Sequence, residues 1–502
     1  MGIAILRAGP ILRTRVIETL STRFKSRVEL AELHVWIANG LHVGGKGLKI
    51  YSATDPNPTQ AGDQPLIEID EFRFQTALGN LFREPMHVDT IFVDGLTINI
   101  PPAKHRQEMK QLRRRSGKMS IAVEQFVCAG TKLIINTDRP GKLPLTFDIS
   151  SLQMMDIGPA QPLRFIATLV NPKPVGDIQS DGLFGPFNET SPRDTAVSGA
   201  YSFTHADLGT IHGIGGILSS TGQYGGTLGR IEVNGETDTP NFTLAVSGHP
   251  VPLHTNFHAI VDGTDGDTYL DPVQATVLHS SFTARGKIVR LSEPRGHDIE
   301  LHVTMAHARI EDLLQLGVKT EPPIMSGAIQ MRTSFNLPPG SGDIAERLRL
   351  AGSFQVADGY FSNEKVQTRV DELSLRGRGR PKLMHDAAQL KVPSELSGTL
   401  TLNRGLLSFS ALRFQVPGSD AALTGQYSLD GETFDFHGQL KMKAKLSEMT
   451  TGWKSLLLRP VDPFFSGHGA GTEIPFKITG TNDEPHFGTD FGHKSEDPLA
   501  GR

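Results

Sequence analysis

The sequence predicts a mainly β protein: a long, curled antiparallel sheet that forms an apolar groove, with an N-terminal amphipathic helix and a few short helices. Two observations support this prediction. Apolar residues alternate with polar ones in segments along the whole chain, which is typical of strands with one buried and one wetted face. Glycine and proline are frequent, with 53 Gly and 32 Pro in 502 residues, and this favours short strands joined by turns over long helices.

The first predicted element is a helix over residues 10–27. Leu12, Val16, Leu20 and Phe24 recur every four residues and form one apolar stripe, which arginine and lysine side chains flank. Two interpretations of this helix stay open. It either docks against the end of the sheet, or it lies as a basic amphipathic helix at a membrane surface.

From Val28 onward the apolar period changes to two, which indicates strands. The clearest alternating segments are 96–100, 143–149, 242–246, 299–305, 440–446 and 474–478. The apolar side chains that we expect to line the groove are Phe242, Leu244, Val246, Leu301, Val303, Phe434, Phe436, Leu440, Met442, Phe476 and Ile478. In the alternative interpretation, these side chains only pack against one another in an ordinary core.

A few segments depart from the strand pattern. Short helices are predicted at Arg309–Leu316, Asp343–Leu350 and Leu446–Leu457, where the apolar spacing returns to three or four. The segment 171–195 is rich in proline and glycine and is predicted to be a long irregular loop.

Two pairs of similar segments indicate internal repetition. Val233–Thr243 matches Ile478–Gly488, and each is predicted to form a strand, a turn and a second strand. Ala351–Asn363 matches Ser397–Phe409, with Asp-Gly or Arg-Gly between two alternating strands, which is a hairpin signal. A sheet made of repeated hairpins grows along one axis.

Composition excludes several classes of function. The net charge of −4 is unlike that of a nucleic-acid-binding protein, which carries a strongly basic face. The single cysteine, Cys128, excludes a disulfide framework or a cysteine-rich zinc site within one chain. One segment, 104–118, is locally basic and is either a solvated linker or a contact with anionic headgroups or an acidic partner. Its candidate membrane-surface residues are Lys104, Arg106, Lys110, Arg113, Arg114, Arg115 and Lys118.

No catalytic or metal-binding motif is found. His254 and His258 fall on a predicted strand, where positions four apart are about 13 Å from each other, too far to share one metal ion. Asp262, Asp265 and Asp267 lack the spacing of a calcium-binding loop and are predicted to form a plain turn. We therefore predict no catalytic residues, no metal site and no cofactor. A glycan hydrolase would need a polar cleft with converging carboxylates, of which the sequence gives no sign.

Several segments resemble the AsmA family of bacterial envelope proteins. Residues 11–51 resemble the N-terminal pattern of the family, in which an amphipathic helix leads into glycine-rich strands. Five further segments resemble the AsmA-like C-terminal region: 253–289, RIEDLLQL (309–316), FNLPPG (335–340), 351–379 and 462–488. No one of these segments is chemically specific, but their order and number are, and together they cover most of the chain.

The resemblance implies a curled sheet similar to that of chorein-type bridge-like lipid-transfer proteins. It implies a periplasm-facing protein, associated with the inner membrane, that supports phospholipid transport between inner and outer membrane and outer-membrane biogenesis. Its implied partners are phospholipid, the membrane surface and envelope proteins. The sequence departs from the family in one respect, because the apolar start Met1–Leu6 is interrupted by Arg7. Either the chain begins after the anchor helix, or the protein is tethered differently.

This interpretation divides the chain into five regions. They are the anchor-proximal helix 1–27, an AsmA-like N-terminal β region 28–120, a middle groove region 121–250, an AsmA-like C-terminal β region 251–492 and a tail 493–502. A rival hypothesis keeps the same sheet but seals its apolar face with protein. The chain would then be a structural or assembly factor for outer-membrane protein targeting.

Overall fold

The structure is a computed structural model of the chain. It describes residues 14, 17, 21, 27–37, 40–51, 65–77, 86–100, 121–137, 140–158, 161–188, 191–383, 390–429, 432–449, 471–481 and 484–490. These residues form a mainly β protein, with 68% strand and few helices, whose sheet is curled into a half-barrel. The predicted fold class is therefore confirmed. Nearly all of the helix predicted over 10–27 and the whole basic segment 104–118 lie outside the described residues.

Twenty-five strands follow one another along the described residues. The first thirteen are β1 (Val28–Glu29), β2 (Glu32–Ile37), β3 (Leu41–Ile50), β4 (Ile67–Thr76), β5 (Met86–Ile100), β6 (Ile121–Ile135), β7 (Leu145–Ile157), β8 (Leu163–Pro172), β9 (Val175–Phe184), β10 (Ala196–Asp207), β11 (Ile214–Gly215), β12 (Ile217–Thr227) and β13 (Arg230–Leu244). The others are β14 (Val251–Val261), β15 (Thr268–Val277), β16 (Ser280–Ser292), β17 (Arg295–Arg309), β18 (Met325–Leu337), β19 (Arg349–Phe361), β20 (Ser394–Asn403), β21 (Leu406–Val416), β22 (Ser419–Ser428), β23 (Thr433–Met442), β24 (Thr472–Thr481) and β25 (Pro485–Thr489).

Each long strand pairs with the next one along the chain, so the sheet is a meander. All pairs are antiparallel except β5 and β6, which run parallel from Met86 opposite Ile121 to Ile100 opposite Ile135. The two-residue strands β1 and β11 pair with β3 and β13. From β6 onward the connections alternate between two long edges. We name the edge with the β6–β7 and β17–β18 connections edge A, and the edge with the β14–β15 and β16–β17 connections edge B.

Three α-helices interrupt the meander. They are α1 (Ile310–Gly317), α2 (Ile344–Arg347) and α3 (Glu364–Gly377). The helix predicted at 309–316 is confirmed as α1, and the one predicted at 343–350 shrinks to the single turn α2 before β19 begins. Of the helix predicted at 446–457, the described part is a short 3₁₀ turn, Leu446–Met449. The helix α3 was not predicted, although Asn363 caps it by accepting from the backbone N–H groups of Lys365 and Val366.

Bulges in the N-terminal strands change which positions are apolar, but they keep the apolar side chains on the same face of the sheet. At Gly95 in β5 the apolar set changes from Ile91 and Val93 to Leu96 and Ile98, yet all four side chains belong to one cluster. Gly95 has a φ of 66°, and a Cβ there would lie 2.0 Å from a carboxylate oxygen of Asp70 in β4. Glycine is therefore required where the two strands shift phase together.

The predicted irregular loop at 171–195 is wrong, because this segment contains the ten-residue strand β9. Ile178 and Phe184 of β9 stand opposite Phe203 and Val197 of β10. Ile178 lies between Asp177 and Gln179, as expected for a strand with one apolar face. The glycine at 182 made the segment look irregular. A Cβ at Gly182 would lie 2.1 Å from a backbone oxygen, so this glycine allows close strand packing and does not mark a turn.

The two pairs of repeats predicted four hairpins, and one member of each pair forms a hairpin. Arg404 and Gly405, with φ of 52° and 72°, form the turn between β20 and β21, as predicted. Asp358-Gly359, the matching dipeptide, lies inside β19 at a bulge instead. In the same way, 478–488 forms the β24–β25 hairpin, whereas 233–243 lies within the single strand β13, which bulges after Thr239. In both cases the turn sequence lies inside a long strand that pairs with a neighbour on each side, and the chain forms a bulge there and does not reverse direction.

The C-terminal hairpin is held by an acid–histidine clasp that predicts pH-dependent stability. His437 Nδ1 of β23 lies 2.6 Å from Asp490 Oδ2, just after β25, and its Nε2 lies 2.9 Å from Asp435. The hydrogen bond to Asp490 raises the pKa of His437 from 6.5, and Asp435 adds to the effect against the opposing effect of burial. A raised folded pKa gives stability that is complete below the unfolded pKa and is lost as the pH rises through the folded pKa.

We therefore expect amide protection in β25 to fall as the pH rises above 6.5, in hydrogen-exchange measurements corrected for intrinsic rates. His437→Gln should remove that pH dependence. Unchanged protection of β25 in the wild type across this range would contradict the clasp.

Candidate apolar groove

One row of side chains crosses every strand from β2 to β25 except β11, and it contains no charged residue. Directly opposed Cα partners define it step by step. Its members are Val35, Val43, Phe74, Ile91, Phe126, Met154, Phe165, Gly182, Gly199, Tyr224, Val233, Ala259, Leu270, Gly286, Leu301, Phe335, Leu350, Leu402, Leu407, Tyr427, Phe434, Gly480 and Pro485. At about 4.8 Å between strands, this row is roughly 100 Å long along the sheet.

The apolar face is the concave one. Helix α1 packs Leu313 and Leu314 against Met305 and Ile329 on this face. The same helix touches β13, four strands away from β17, and Gln315 accepts a hydrogen bond from His249 Nδ1 at 3.1 Å. One short helix reaches both strands only if the sheet curls toward its apolar side. The described strands therefore form a trough with apolar walls.

Most of the predicted groove residues lie on this face and are only half-buried. Those that stand on the apolar registers and remain half-buried are Phe242, Leu244, Leu301, Val303, Phe434, Phe436, Leu440, Phe476 and Ile478. A second layer of protein would bury such side chains, as in a sheet sandwich. The half-burial indicates that no second layer formed by the described residues covers them.

Two of the predicted groove residues are placed elsewhere. Val246 lies in the turn after β13, because the strand ends at Leu244 and the alternation read from the sequence continues past that end. Met442 is 7% exposed and belongs to a core cluster with Ala444 and Met449, against which Leu373 of α3 packs. It is therefore covered by protein and does not line the open trough.

Helices α1 and α3 both lie along edge A of the trough. Helix α1 is attached to the sheet by hydrogen bonds to its first two acidic residues, Glu311 and Asp312. Asp312 is 2% exposed and accepts hydrogen bonds from the Ser280 hydroxyl at 2.7 Å and the His279 backbone N–H at 2.9 Å. Glu311 accepts from Arg309 and from Gly327 N at 3.0 Å. Burial alone would raise the pKa of Glu311, but hydrogen bonds from its own backbone N–H, from Gly327 and from Arg309 lower it overall.

An aromatic set lines the trough in its C-terminal half. The ring centroids of Phe354 and Phe409 are 6.1 Å apart, those of Phe409 and Phe436 are 5.7 Å apart, and those of Phe436 and Phe434 are 6.3 Å apart. Sequence reasoning found Phe434 and Phe436 but missed Phe354 and Phe409 as partners. Both missed residues lie in alternating segments, so the signal was present, but only strand register brings the four rings together.

Among the described residues, the two edges of the sheet touch at three places. Lys142, in the β6–β7 connection of edge A, donates to Asp267 at 2.5 Å and to the carbonyl of Arg290 at 2.7 Å on edge B. Lys319 N and Thr320 Oγ1, after α1 on edge A, donate to Glu432 of edge B at 2.7 and 2.6 Å.

Between these two contacts, edge A meets edge B a third time. Gly213, in the β10–β12 connection, packs on α2. A Cβ added there would lie 2.7 Å from Asp343 Oδ1 and 2.8 Å from Ile344 N. The three contacts join strands that are several positions apart in the sheet. The trough is therefore bridged at intervals along its opening.

The polar groups considered for metal binding lie away from the apolar row. His254 and His258 lie in β14, which confirms the predicted strand, and they contact Asp238 and Asn234 on the convex face. The turn at 262–267 is held by its own hydrogen bonds and by cations, since Asp262 pairs with Arg193 at 2.7 Å. Across the described residues, no group of three or more His, Cys, Asp or Glu residues is arranged to hold a metal ion.

Comparison with family models, with curated proteins and with solved structures finds no match to this chain. Among the helices of the described residues, none combines the length and the apolar composition needed to cross a membrane.

Proposed function

We propose that this chain is a non-enzymatic, AsmA-like envelope protein that binds phospholipid acyl chains in its trough and passes them between inner and outer membrane. The observation that supports this most directly is the row from Val35 to Pro485, which contains no charged residue and whose larger side chains, apart from Leu402, remain partly exposed on a concave face. An exposed apolar surface of this extent is costly in water. Acyl chains are the partner that fits a long, narrow and unspecific apolar wall.

The dimensions support several lipids per chain. A bilayer core is about 30 Å thick, so each lipid tail spans roughly half of that. A wall of roughly 100 Å therefore has room for several tails in succession. Each buried CH₂ contributes about 0.8 kcal/mol, which makes one tail sufficient to offset the entropy of binding. The periplasmic location and the envelope partners rest on the family resemblance, and a membrane contact through Lys104–Lys118 rests on the basic character of that segment.

Native mass spectrometry with lipid extraction tests this proposal. The full chain is purified without added detergent, and we expect several phospholipids per molecule. A lipid-free and cooperatively folded chain, which also takes up no phospholipid from vesicles, would overturn the proposal. That result would favour the rival hypothesis, an assembly factor with a sealed core that acts through protein partners.

A further inference from the structure

The apolar registers of the trough end in basic side chains at the edge-B end of β16 and β17. Ile288 stands opposite Ile299, and two residues further out Arg290 stands opposite His297, followed by Ser292 opposite Arg295. Because side chains alternate between the two faces, Arg290, His297 and Arg295 share the face of Ile288 and Ile299. The edge-B rim of the trough is therefore basic at this point, and the apolar side chains begin two residues further in, at Ile288 and Ile299.

These cations have no acidic partner among the described residues. No carboxylate lies within 4.0 Å of Arg290, Arg295 or His297 in that part of the chain. Arg290 donates one guanidinium N–H to the carbonyl of Pro144 at 3.1 Å, across the seam between the two edges. Elsewhere on these strands the cations are paired, as Lys287 is with Glu300 at 3.0 Å.

The acids of the surrounding elements are directed elsewhere. Asp267 accepts from Lys142 at 2.5 Å and from the Arg290 backbone N–H at 3.1 Å. Asp298 occupies the outward register of β17, where Asn336 donates to it at 3.2 Å. Glu293 is exposed in the β16–β17 turn. The guanidinium groups at the rim are therefore not ion-paired with these acids, and the nearest one, Asp267, is paired with Lys142.

The pKa shifts of Arg290 and His297 reflect their closeness to other basic groups. Burial lowers the pKa of Arg290, and so does the positive charge of Arg295. Burial also lowers the pKa of His297, Arg290 and Lys142 lower it further, and Asp267 opposes them. The His297 side chain is nevertheless open to solvent, as expected for a group on a concave wall. A neutral histidine still offers one N–H donor to a phosphate oxygen.

We propose that Arg290, Arg295 and His297 form a phosphate-recognition site at the rim of the trough, which holds the phosphodiester of a phospholipid while its tails lie on the rows that begin at Ile288 and Ile299. This inference rests on the proposed function for the lipid part, but not for the anion part. Guanidinium groups suit phosphate because their N–H donors match its oxygens in pairs. Inward from the rim the same registers continue without charge, with Gly286 opposite Leu301 and Ala284 opposite Val303.

The test measures binding to the full, delipidated chain by calorimetry and ³¹P NMR. The probes are a short-chain phosphatidylglycerol, a diacylglycerol with the same tails and inorganic phosphate. We expect the phosphatidylglycerol to bind roughly tenfold more tightly than the diacylglycerol. The double variant Arg290→Gln with His297→Gln should abolish this difference. The matched control Arg285→Gln, on the convex face of β16 and paired with Asp271 at 2.9 Å, should keep it.

The possible results distinguish the phosphate-site proposal from the lipid-binding proposal. If both lipids bind equally and the double variant behaves as the wild type, the phosphate site is overturned and the trough stands. If neither lipid binds but inorganic phosphate does, and the double variant loses it, the anion site stands and the lipid function falls. If none of the three probes binds, both proposals are overturned.

Discussion

Leu301→Asp should lower the occupancy of the lipid that lies over β17 at least tenfold, and so reduce the lipid count of the trough, while the chain still folds. Leu301 lies in the middle of the apolar row, between Gly286 and Phe335, and is half-buried. A carboxylate there remains hydrated while the trough is empty, so the loss of unfolding free energy should stay near 1 kcal/mol. With lipid bound, the same charge would have to lose its water, and the lipid is expelled instead.

The matched control is His302→Asp, one residue along β17 on the convex face. His302 is exposed and stands opposite Arg285 and Ser334, where a carboxylate is readily solvated. Lipid counts by native mass spectrometry should be unchanged in this control. A second variant, Leu301→Trp, narrows the trough without adding charge and should lower the count less than Leu301→Asp does. Equal lipid counts in Leu301→Asp and His302→Asp would show that this row does not carry lipid.

Asp312→Ala should release helix α1 from the sheet and destabilise its surroundings by about 2–4 kcal/mol. The reason is that Asp312 is buried and accepts from Ser280 and from the His279 backbone N–H. Its loss would leave the His279 N–H without this acceptor and the Ser280 hydroxyl with only the carbonyl of Arg309 at 3.5 Å. Helix α1 covers the cluster of Met305, Met325 and their neighbours, so its release exposes that core.

Because a sheet that grows along one axis unfolds in sections, the effect is best measured locally. Hydrogen exchange should accelerate in Ile310–Gly317 and in β18, and much less in β3 to β8. Asp312→Asn, which keeps one acceptor oxygen, should give an intermediate change. Glu346→Ala, at an exposed position in the first turn of α2, serves as the control. If Asp312→Ala exchanges no faster than this control, the helix α1 is held by its apolar contacts alone.

Several features of the groove could be predicted from the sequence because they depend on local periodicity. The alternation at Leu301–Val303 and at Phe434–Phe436 identifies the apolar side of each strand without knowledge of its neighbours. The same local rule predicted α1 from its apolar spacing and the β20–β21 turn from Arg404-Gly405. Local patterns failed where a strand stopped early, as at Val246, or where glycine allowed close packing, as at Gly182.

By itself, the sequence determined which face of each strand is apolar and that the strands follow one another as a sheet. Only the tertiary structure decided that α3 covers Met442, that the edges meet through Lys142 and Glu432, and that Arg290 stands opposite His297. The physical reason is the range of the interaction. Alternation repeats every two residues, whereas register, curvature and edge contact accumulate over many strands and bulges.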